Sequence, residues 1–357
     1  MIVSFAYPSP KQFSGGVVTL YEYANALARR GHTVHMIHGP AVVPNMITDV
    51  SEITWFDFDP RIRHHVVDDL ADPSLPAADV IFAGNAPPEL GLPVVLIQGY
   101  KLIAAAVERG AFRIPCLKLC VASWLLDVGV RWGSPPEQMV HVPLGIDHQV
   151  FRSERSLDQR PVDVALLYTN HPVKGGDDAI EALELVRRGR PDLRVEAFGI
   201  IRPDRLPDWI GFHENMSRPD LVRTVYGRAK VFVQPSRIEG FGLTAVEAMA
   251  CGCALVSTDN GGSRDYAHHE ETALVTPRLD PPALAAAIER LLDDGVLRRR
   301  LAEAGERYVR RFDWDLAAEV VERHLDAYVA DPAAYRHPPR DAPLFLDDVG
   351  LFHDATH

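Results

Sequence analysis

Two glutamates, Glu239 and Glu247, frame the stretch of the sequence with the clearest potential for chemistry. The apolar, β-branched run at 231–234 predicts a buried strand ahead of them, and residues 243–251 predict a helix. Glu239 is therefore expected on the loop at the carboxyl end of the strand, and Glu247 inside the helix that follows. An unpaired carboxylate amid the apolar neighbours of Glu247 would be unfavourable, which favours a binding role.

The residues between the two glutamates suit a phosphate group. Gly240 and Gly242 allow the loop around Phe241 to approach a ligand closely. The helix that begins near Leu243 and Thr244 offers N–H groups without helical partners and a partial positive charge. Carboxylates on both sides of such a site can accept hydrogen bonds from hydroxyl groups. A ligand with hydroxyl groups on both sides of a diphosphate is a nucleotide sugar, so the stretch predicts a site for one.

Two further short motifs could contribute to the same chemistry. Lys174 and Gly175 combine a point charge suited to a diphosphate with a residue that permits close backbone approach. Gly15 and Gly16 stand between a first predicted strand and a predicted helix, where α/β folds bind phosphates or acceptors. The complete glycine fingerprint of dinucleotide sites is missing from this part of the sequence, which disfavours NAD.

These motifs lie in a sequence that alternates short apolar runs with amphipathic segments, as in α/β proteins with parallel sheets. A length of 357 residues predicts two domains. The polar segment 151–161 lacks an apolar period and is expected to be the linker. It separates an N-terminal domain at 1–150 from a C-terminal domain at 162–312. A last helix at 313–330 and an extended tail at 331–357 follow.

The apolar periods also predict the individual elements. Strands are expected at 2–6, 33–38, 80–83, 94–98, 119–122, 139–143, 162–168, 193–198, 231–234 and 254–258. Helices are expected at 17–30, 102–109, 178–187, 218–228, 243–251, 282–293 and 296–312, before the last helix.

Composition limits the classes of function. A net charge of −12 disfavours a nucleic-acid partner and broad binding to anionic membranes. No apolar stretch reaches the roughly 20 residues that span a bilayer, and the first residues do not resemble a signal peptide. We therefore expect a cytoplasmic protein. The cysteine spacing matches no common zinc pattern, so reduced, buried, structural thiols are expected. These cysteines are Cys116, Cys120, Cys251 and Cys253.

Together, the motifs resemble those of the retaining GT-B glycosyltransferases of the family 4 type, the glycosyl transferases group 1. The strongest similarity is EGFGLTAVEAMACGCALV at 239–256, the glutamate pair with its Gly-Phe-Gly loop. The similarity also includes Lys174–Gly175, the Ser14-Gly15-Gly16 loop and the sequence PLGID at 143–147. It extends over about residues 1–330.

The resemblance implies two Rossmann-like domains that face each other across a cleft, with the C-terminal helix crossing back to the first domain. It implies metal-independent transfer of a sugar from a nucleotide donor to an acceptor hydroxyl, with retained anomeric configuration. Glu239 would then contact the donor sugar, Glu247 the ribose, and Lys174 the leaving phosphate, so Lys174 and Glu239 would be catalytic. Backbone N–H groups of residues 240–243 would hold the sugar and the diphosphate. We expect no cofactor besides the donor.

The sequence departs from the family pattern in the donor domain and at the hinge. Thr169 stands where the family usually has an arginine. A second phosphate cation would therefore have to come from elsewhere, with Arg237 and Arg202 as candidates. Leu144 replaces the asparagine that the hinge motif often has, with little expected consequence.

A third departure concerns the acceptor. Gln98 stands where many members have a histidine, and a glutamine can hydrogen-bond but cannot accept a proton. We expect Gln98 and Tyr100 in the acceptor pocket. The acceptor could be a small molecule, a glycan or a lipid-linked compound. A soluble acceptor is favoured because the first-domain loops lack a basic cluster with exposed aromatic residues.

Other functions remain open at the level of the sequence. A sugar-nucleotide epimerase or a disaccharide phosphorylase would share the architecture. The departures at Thr169 and Gln98 also fit a non-catalytic sugar-nucleotide-binding protein. Asp57 and Asp59 could form a metal–diphosphate motif, although such a pair arises often by chance. The nucleobase of the donor, as in UDP-, GDP- or dTDP-sugars, is not resolved.

Overall fold

The structure is a computed structural model that describes residues 1–39, 45–100, 105–153 and 155–342. The described residues form two compact units. Unit 1 contains residues 1–99, 105–145 and 314–342, and unit 2 contains residue 100 and residues 146–313.

Unit 1 is built on a sheet of seven strands in the order β3-β2-β1-β4-β5-β6-β7, and all paired strands are parallel. On the central strand β1, Val3, Ser4 and Phe5 have no exposed surface. This pattern is typical of parallel strands that are covered on both faces. The strands are β1 (Ile2–Tyr7), β2 (Thr33–His38), β3 (Arg63–Val66), β4 (Val80–Phe82), β5 (Leu92–Ile97), β6 (Leu117–Cys120) and β7 (Met139–His141).

Unit 2 is built on a parallel sheet of six strands in the order β10-β9-β8-β11-β12-β13. The direction of strand addition reverses between β8 and β11. In open α/β sheets, ligands bind outside the carboxyl ends of the strands at such a reversal. The strands are β8 (Val162–Leu167), β9 (Val195–Gly199), β10 (Gly211–Glu214), β11 (Ala229–Gln234), β12 (Ala254–Thr258) and β13 (Ala273–Thr276).

Where the structure describes them, the predicted helices are present to within a few residues, with two differences, and residues 102–104 of one predicted helix lie outside the described residues. One difference is a helix at Trp124–Arg131 that the sequence pattern did not predict. The other is that the helix predicted at 218–228 is a short α-helix followed by a π turn at Val222–Tyr226. There the Gly227 N–H donates to the Val222 carbonyl at 2.7 Å, and such wide turns are frequent at functional sites. The helices are α1 (Gly15–Arg29), α2 (Ala105–Arg113), α3 (Trp124–Arg131), α4 (Gly176–Gly189), α5 (Arg218–Leu221), α6 (Leu243–Ala250), α7 (Pro281–Asp293), α8 (Gly295–Val309) and α9 (Trp314–Ala330).

Three strands that the apolar pattern did not predict, β3, β10 and β13, lie at edges of the two sheets. Each has four residues, and the sequences of β3 and β10 are largely polar. Edge strands are short and partly solvated, so they need no apolar run. This accounts for β3 and β10, whereas β13 (ALVT) is an apolar, buried run that the prediction overlooked.

The segment 151–161, predicted as a linker, lies within unit 2 instead of between the units. Phe151 is 2% exposed and Arg160 is 4% exposed. The Arg160 guanidinium donates to the carbonyls of Ala229 at 2.9 Å and Cys251 at 2.6 Å. The polar composition suggested a solvent-exposed segment, but the Arg160 guanidinium donates its hydrogen bonds to carbonyls inside unit 2.

The last helix, α9, returns to unit 1, in agreement with the predicted crossing. The rings of Tyr23 and Trp314 lie 5.2 Å apart. Arg29 on α1 forms an ion pair with Asp315 at 2.8 Å. These contacts attach the start of α9 to α1.

The tail is described as far as residue 342, and its described part is anchored on unit 1. Gln138 Nε2 donates to the His337 carbonyl at 2.7 Å, and Arg113 Nη1 donates to the Arg340 carbonyl at 2.7 Å. The Arg340 N–H donates to the Gly133 carbonyl at 2.8 Å. The segment predicted as an extended tail therefore makes specific hydrogen bonds up to this point, and residues 343–357 lie outside the described residues.

Candidate functional site

Lys174 and Glu239 meet at the carboxyl edge of the unit 2 sheet. They lie on the loops after β8 and β11, which are paired neighbours in the sheet. Lys174 Nζ is 2.8 Å from Glu239 Oε1 and 2.9 Å from Oε2. The lysine side chain is 28% exposed and that of the glutamate 7%. The pair is thus held mostly out of water, with the lysine still reachable from solvent.

The two loops are also joined through their backbones. The Arg237 N–H donates to the Val173 carbonyl at 2.7 Å. Gly175 has a φ of 64°, and a Cβ at this position would lie 2.0 Å from the Pro235 carbonyl oxygen. Only glycine allows this approach, so the second residue of the Lys174–Gly175 motif sets the distance between the loops.

Two polar side chains that the sequence did not single out, Gln234 and Ser236, hold Glu239 in place. Gln234 Nε2 and Ser236 Oγ donate to Glu239 Oε1 at 2.8 Å and 2.7 Å. Gln234 Oε1 in turn accepts from Thr244 Oγ1 at 3.1 Å. Gln234 could have been found as the one polar side chain at the end of an otherwise apolar strand.

The loop that leads into α6 has a left-handed backbone conformation at one of its two glycines. Gly242 precedes the helix with φ 103° and ψ 56°. Phe241 is 3% exposed, and its ring lies 5.4 Å from that of Tyr266 and 5.2 Å from that of Phe312. Its side chain therefore packs inside unit 2, and its backbone is the part that could contact a ligand. Together with Gly240, Leu243 and Thr244, the predicted phosphate-binding residues surround the helix start.

Glu247 lies on α6 and is 9% exposed. The Tyr226 hydroxyl, at the end of the π turn, donates to Glu247 Oε2 at 3.0 Å. Burial and the nearby Glu247 carboxylate raise the pKa of Tyr226 well above its usual value, so this tyrosine stays a neutral donor. The carboxylate in an apolar setting is thus supported by a buried partner that the sequence did not reveal.

Thr169 lines a cavity of about 360 Å³ together with Arg237 and Arg205. Arg237 donates to both oxygens of Asp178, at 2.7 Å and 2.8 Å. Arg205 Nη1 lies 3.7 Å from an oxygen of Asp177. Two cations therefore lie near Thr169, which stands where the resemblance implied an arginine, and Arg205 was not predicted.

Arg202, the other predicted source of a cation, points elsewhere. Its guanidinium lies 5.9 Å from the centre of the Phe212 ring and 3.6 Å from Asp208. Of the two candidates, the structure brings Arg237 and not Arg202 to the cavity beside Thr169.

In unit 1, Gly15 and Gly16 are the first residues of α1. A Cβ at Gly16 would lie 3.6 Å from Gln98 Oε1, at the end of β5. The structure therefore brings together the glycine loop and Gln98. Tyr100 is 1% exposed, so its side chain is packed in this structure. The acceptor role of Gln98 and Tyr100 stays a prediction.

The Asp57–Asp59 pair is part of a braced loop. Asp59 forms an ion pair with Arg61 at 2.6 Å. The Asn25 side chain donates to the Asp57 carbonyl and accepts from the Asp59 N–H, at 2.9 Å and 2.8 Å. Within the part of the chain that the structure describes, no group of three or more His, Cys, Asp or Glu residues could hold a metal ion.

Two other predictions concern burial and membranes. The four cysteines are buried and free, and burial raises the pKa of the Cys116 and Cys253 thiols to about 11. Searching the described ranges, we found no helix with the length and apolarity needed to cross a bilayer.

Comparison with known proteins agrees with the geometry of unit 2. Residues 152–308 match the family model of the glycosyl transferases group 1. The chain is 31% identical to D-inositol 3-phosphate glycosyltransferase of Acidothermus cellulolyticus, over 62% of this chain and 54% of that protein. It is 28% identical to phosphatidyl-myo-inositol mannosyltransferase of Mycobacterium tuberculosis, over 62% of this chain and 64% of that protein. The chain thus spans about half the length of the first curated relatives it matches.

Solved structures share the fold over nearly the whole chain. Sucrose-phosphate synthase of Thermosynechococcus elongatus is 20% identical with a TM-score of 0.73, covering 92% of this chain and 99% of that one. HepE of Anabaena, solved in complex with UDP-glucose, is 16% identical with a TM-score of 0.70, covering 92% and 100%. At this level of identity the similarity shows the fold, and it is the GT-B fold.

Proposed function

We propose that this chain, whose residues 152–308 match the family model of the glycosyl transferases group 1 and whose fold is GT-B, is a retaining glycosyltransferase. It would move a sugar from a nucleoside diphosphate to an acceptor hydroxyl without a metal. The observation that carries the proposal is the Lys174–Glu239 ion pair of 2.8 Å at the reversal of the strand order, one short loop before α6.

Donor binding follows from the charges around this pair. The first N–H groups of α6, from Leu243 onward, have no acceptors within the helix and favour an anion. Lys174 adds a full positive charge next to Glu239. In the proposal, the diphosphate lies at the helix start, Glu239 accepts hydrogen bonds from the sugar, and Glu247 accepts from the ribose.

The same groups can support the chemical step. The bond between the anomeric carbon and the β-phosphate oxygen breaks, and its electron pair passes to that oxygen. Positive charge then grows on the sugar ring while negative charge grows on the phosphate. Fixed dipoles and a cation stabilise this anion without having to reorganise. In the proposal Lys174 and the start of α6 have this task in place of a metal.

In a single displacement, retention of configuration requires attack from the face that the phosphate leaves. The acceptor oxygen forms the new bond to the anomeric carbon, and its proton passes to the departing phosphate oxygen. No protein base is needed for this transfer. The proposal is therefore compatible with Gln98, which cannot accept a proton.

Names of similar proteins suggest which substrates to test first. HepE of Anabaena was solved with UDP-glucose, so UDP-sugars are the first donors, followed by GDP-, dTDP- and ADP-sugars. The two relatives named above carry inositol in their names. We therefore propose a polyol hydroxyl as acceptor, with myo-inositol and its 3-phosphate as first probes. A donor that binds raises the thermal midpoint, since it stabilises only the folded chain.

Replacement of the central ion pair tests the proposal. We expect Lys174→Ala and Glu239→Ala each to lower kcat/KM for transfer by roughly 100-fold or more, as loss of a transition-state contact does. Steady-state kinetics with the best donor and acceptor measure this. The product's anomeric configuration, read by NMR, tests retention, and the rate with a chelator tests metal independence.

Lys230→Ala is the matched control. Lys230 pairs with Asp163 at 2.8 Å, but it lies near the start of β11, at the opposite edge of the same sheet. The Lys230→Ala substitution should leave the rate of transfer near that of the wild type. Near-wild-type transfer by Lys174→Ala or Glu239→Ala, or an equal loss in the control, would show that the site is elsewhere.

Incubation with donor alone separates this proposal from the alternatives. An epimerase converts the donor without a second substrate, whereas a transferase needs an acceptor. Tight binding of a nucleotide sugar without transfer to any acceptor would instead indicate a binding protein.

A further inference from the structure

We propose that Gln234 is a positioning residue that fixes the Glu239 carboxylate and the Thr244 hydroxyl relative to each other. The inference rests on the proposed function, in which Glu239 serves the donor sugar and Thr244 lies on the phosphate side. Gln234 itself would touch neither substrate.

Gln234 is buried at the point where its strand ends. It is the last residue of β11 and is 2% exposed, after Val231, Phe232 and Val233, which have no exposed surface. A buried amide without partners is destabilising. Here the amide nitrogen donates to Glu239 and Ser236, at 2.8 Å and 3.1 Å, and the amide oxygen accepts from Thr244 at 3.1 Å.

The orientation of this amide follows from chemistry. An ionised carboxylate can only accept hydrogen bonds, so the NH₂ group must face Glu239. The amide oxygen then necessarily faces Thr244. One rigid planar group thus connects the loop carboxylate to the first turn of α6.

This contact selects which oxygen of Glu239 serves the ligand. Oε1 accepts from Lys174, Gln234 and Ser236. Among the described residues, Oε2 accepts only from Lys174, at 2.9 Å. A carboxylate oxygen has about two lone-pair sites, which the three donors at Oε1 already share. Oε2 is therefore the oxygen with capacity left for a sugar hydroxyl, and Gln234 helps to hold the carboxylate in that orientation.

The contact also restrains Thr244. Its hydroxyl hydrogen is directed to Gln234, so Thr244 can donate to a phosphate oxygen only by releasing the amide. Removal of the amide should free this hydroxyl while loosening Glu239. The two ends of Gln234 thus predict opposite effects on sugar and phosphate binding, which a purely structural role would not produce.

The first test compares Gln234→Leu with the wild type, using UDP and UDP-glucose as probes. We expect the preference for UDP-glucose over UDP to fall roughly 10- to 100-fold, as for loss of a hydrogen bond to a charged group. Affinity for UDP itself should stay within about twofold of wild type or increase. Calorimetry measures the dissociation constants of UDP and UDP-glucose. The kcat/KM for transfer should fall in parallel with the preference for UDP-glucose. Equal losses for both probes, or no loss for either, would overturn the inference.

The second test is Gln234→Glu, which keeps the shape but adds a carboxyl group against Glu239. Two adjacent carboxyls resist ionising together, so the pair should share a proton with a raised pKa. Near pH 5.5 the shared proton replaces the amide donor, and activity should approach that of the wild type. Near pH 8 both groups ionise and repel, and kcat/KM should fall at least 10-fold relative to the wild type. A parallel pH profile in variant and wild type would contradict the role.

These outcomes are separable from those for the function itself. If Lys174→Ala and Glu239→Ala abolish transfer while Gln234→Leu behaves as wild type, only the positioning role fails. If the wild type binds neither UDP-glucose nor any other nucleotide sugar, both proposals fail. Thermal midpoints of the Gln234 variants show whether a change reflects unfolding.

Discussion

Lys118, on strand β6 of unit 1, has no exposed surface. Its ammonium group donates to the Gln138 side chain at 2.8 Å and to the Cys116 carbonyl at 3.1 Å. Burial lowers the pKa of Lys118 to about 8, because the charged form is poorly solvated there. A lysine in an unfolded chain has a pKa near 10.4.

This difference predicts a pH-dependent stability. Between about pH 8 and pH 10.4 the unfolded chain holds a proton that the folded chain has released. The free energy of unfolding contributed by Lys118 should therefore rise as pH increases through that window, by about 3 kcal/mol at most. Denaturant unfolding of wild type and Lys118→Met at pH 7 and pH 10.5 measures the effect as a difference between the two proteins.

The free energy of unfolding should rise less with pH in Lys118→Met than in the wild type, because the methionine does not titrate. Lys230→Met, which removes a lysine that is 25% exposed, serves as the control and should keep most of the rise. If the free energies of unfolding of the wild type and Lys118→Met change with pH in the same way, folding does not lower the pKa of Lys118.

At the scale of elements, the start of α6 depends on one glycine. Gly242 has a φ of 103°, and a Cβ there would lie 2.4 Å from the Tyr266 hydroxyl oxygen. Tyr266 has no exposed surface, so it cannot move aside easily. The backbone conformation and the close approach both exclude a larger residue.

Gly242→Ala should therefore lower the free energy of unfolding by about 1–3 kcal/mol and weaken donor binding. Adding Tyr266→Phe removes the clashing oxygen but not the left-handed backbone strain. We therefore expect Gly242→Ala to lower the free energy of unfolding less in the Tyr266→Phe background than in the wild type. Chemical denaturation of the four proteins measures this difference.

Gly189→Ala provides the comparison within unit 2. Gly189 is the last residue of α4, and a Cβ there meets no described atom within 4 Å. This change should be neutral or stabilising. An equal loss in Gly189→Ala and Gly242→Ala would argue against a special requirement at α6.

At the scale of the whole molecule, the chain completes unit 1 only after it has built unit 2. In the described tail, the His337 and Arg340 carbonyls accept hydrogen bonds from Gln138 and Arg113, and the Arg340 N–H donates to the Gly133 carbonyl. Gln138 also holds the buried Lys118, so the tail closes over a polar pair inside unit 1.

A chain that ends at residue 330 should therefore be less stable than one that ends at 342. A loss of about 2 kcal/mol corresponds to roughly 4–8 °C in the thermal midpoint for a domain of this size. Calorimetry of both truncated chains and the full chain measures the thermal midpoints. The chain that ends at 342 distinguishes the contribution of residues 331–342 from that of the residues beyond them. Identical midpoints for the two truncated chains would mean that these hydrogen bonds contribute nothing.

Much of the fold and part of the site could be predicted from the sequence. The alternation of apolar and amphipathic runs predicted the α/β class, and Thr33–His38 and Ala254–Thr258 have the predicted bounds. The edge strands β3 and β10 could not be predicted, because their few, largely polar residues carry no periodic signal. The support of Glu239 by Gln234 was also invisible, since nothing in the order of residues shows which side chains a buried amide meets.

By itself, the sequence determined the local chemistry of this protein: a carboxylate on a glycine loop, another on the following helix, and a lysine before a glycine. These features depend on residue type and on spacing within one element. Only the tertiary structure decided that Lys174 and Glu239, 65 positions apart, form an ion pair. The same holds for Arg160, which is an internal hydrogen-bond donor instead of part of a linker. The reason is that such contacts depend on strand order and burial, which arise when the whole sheet assembles.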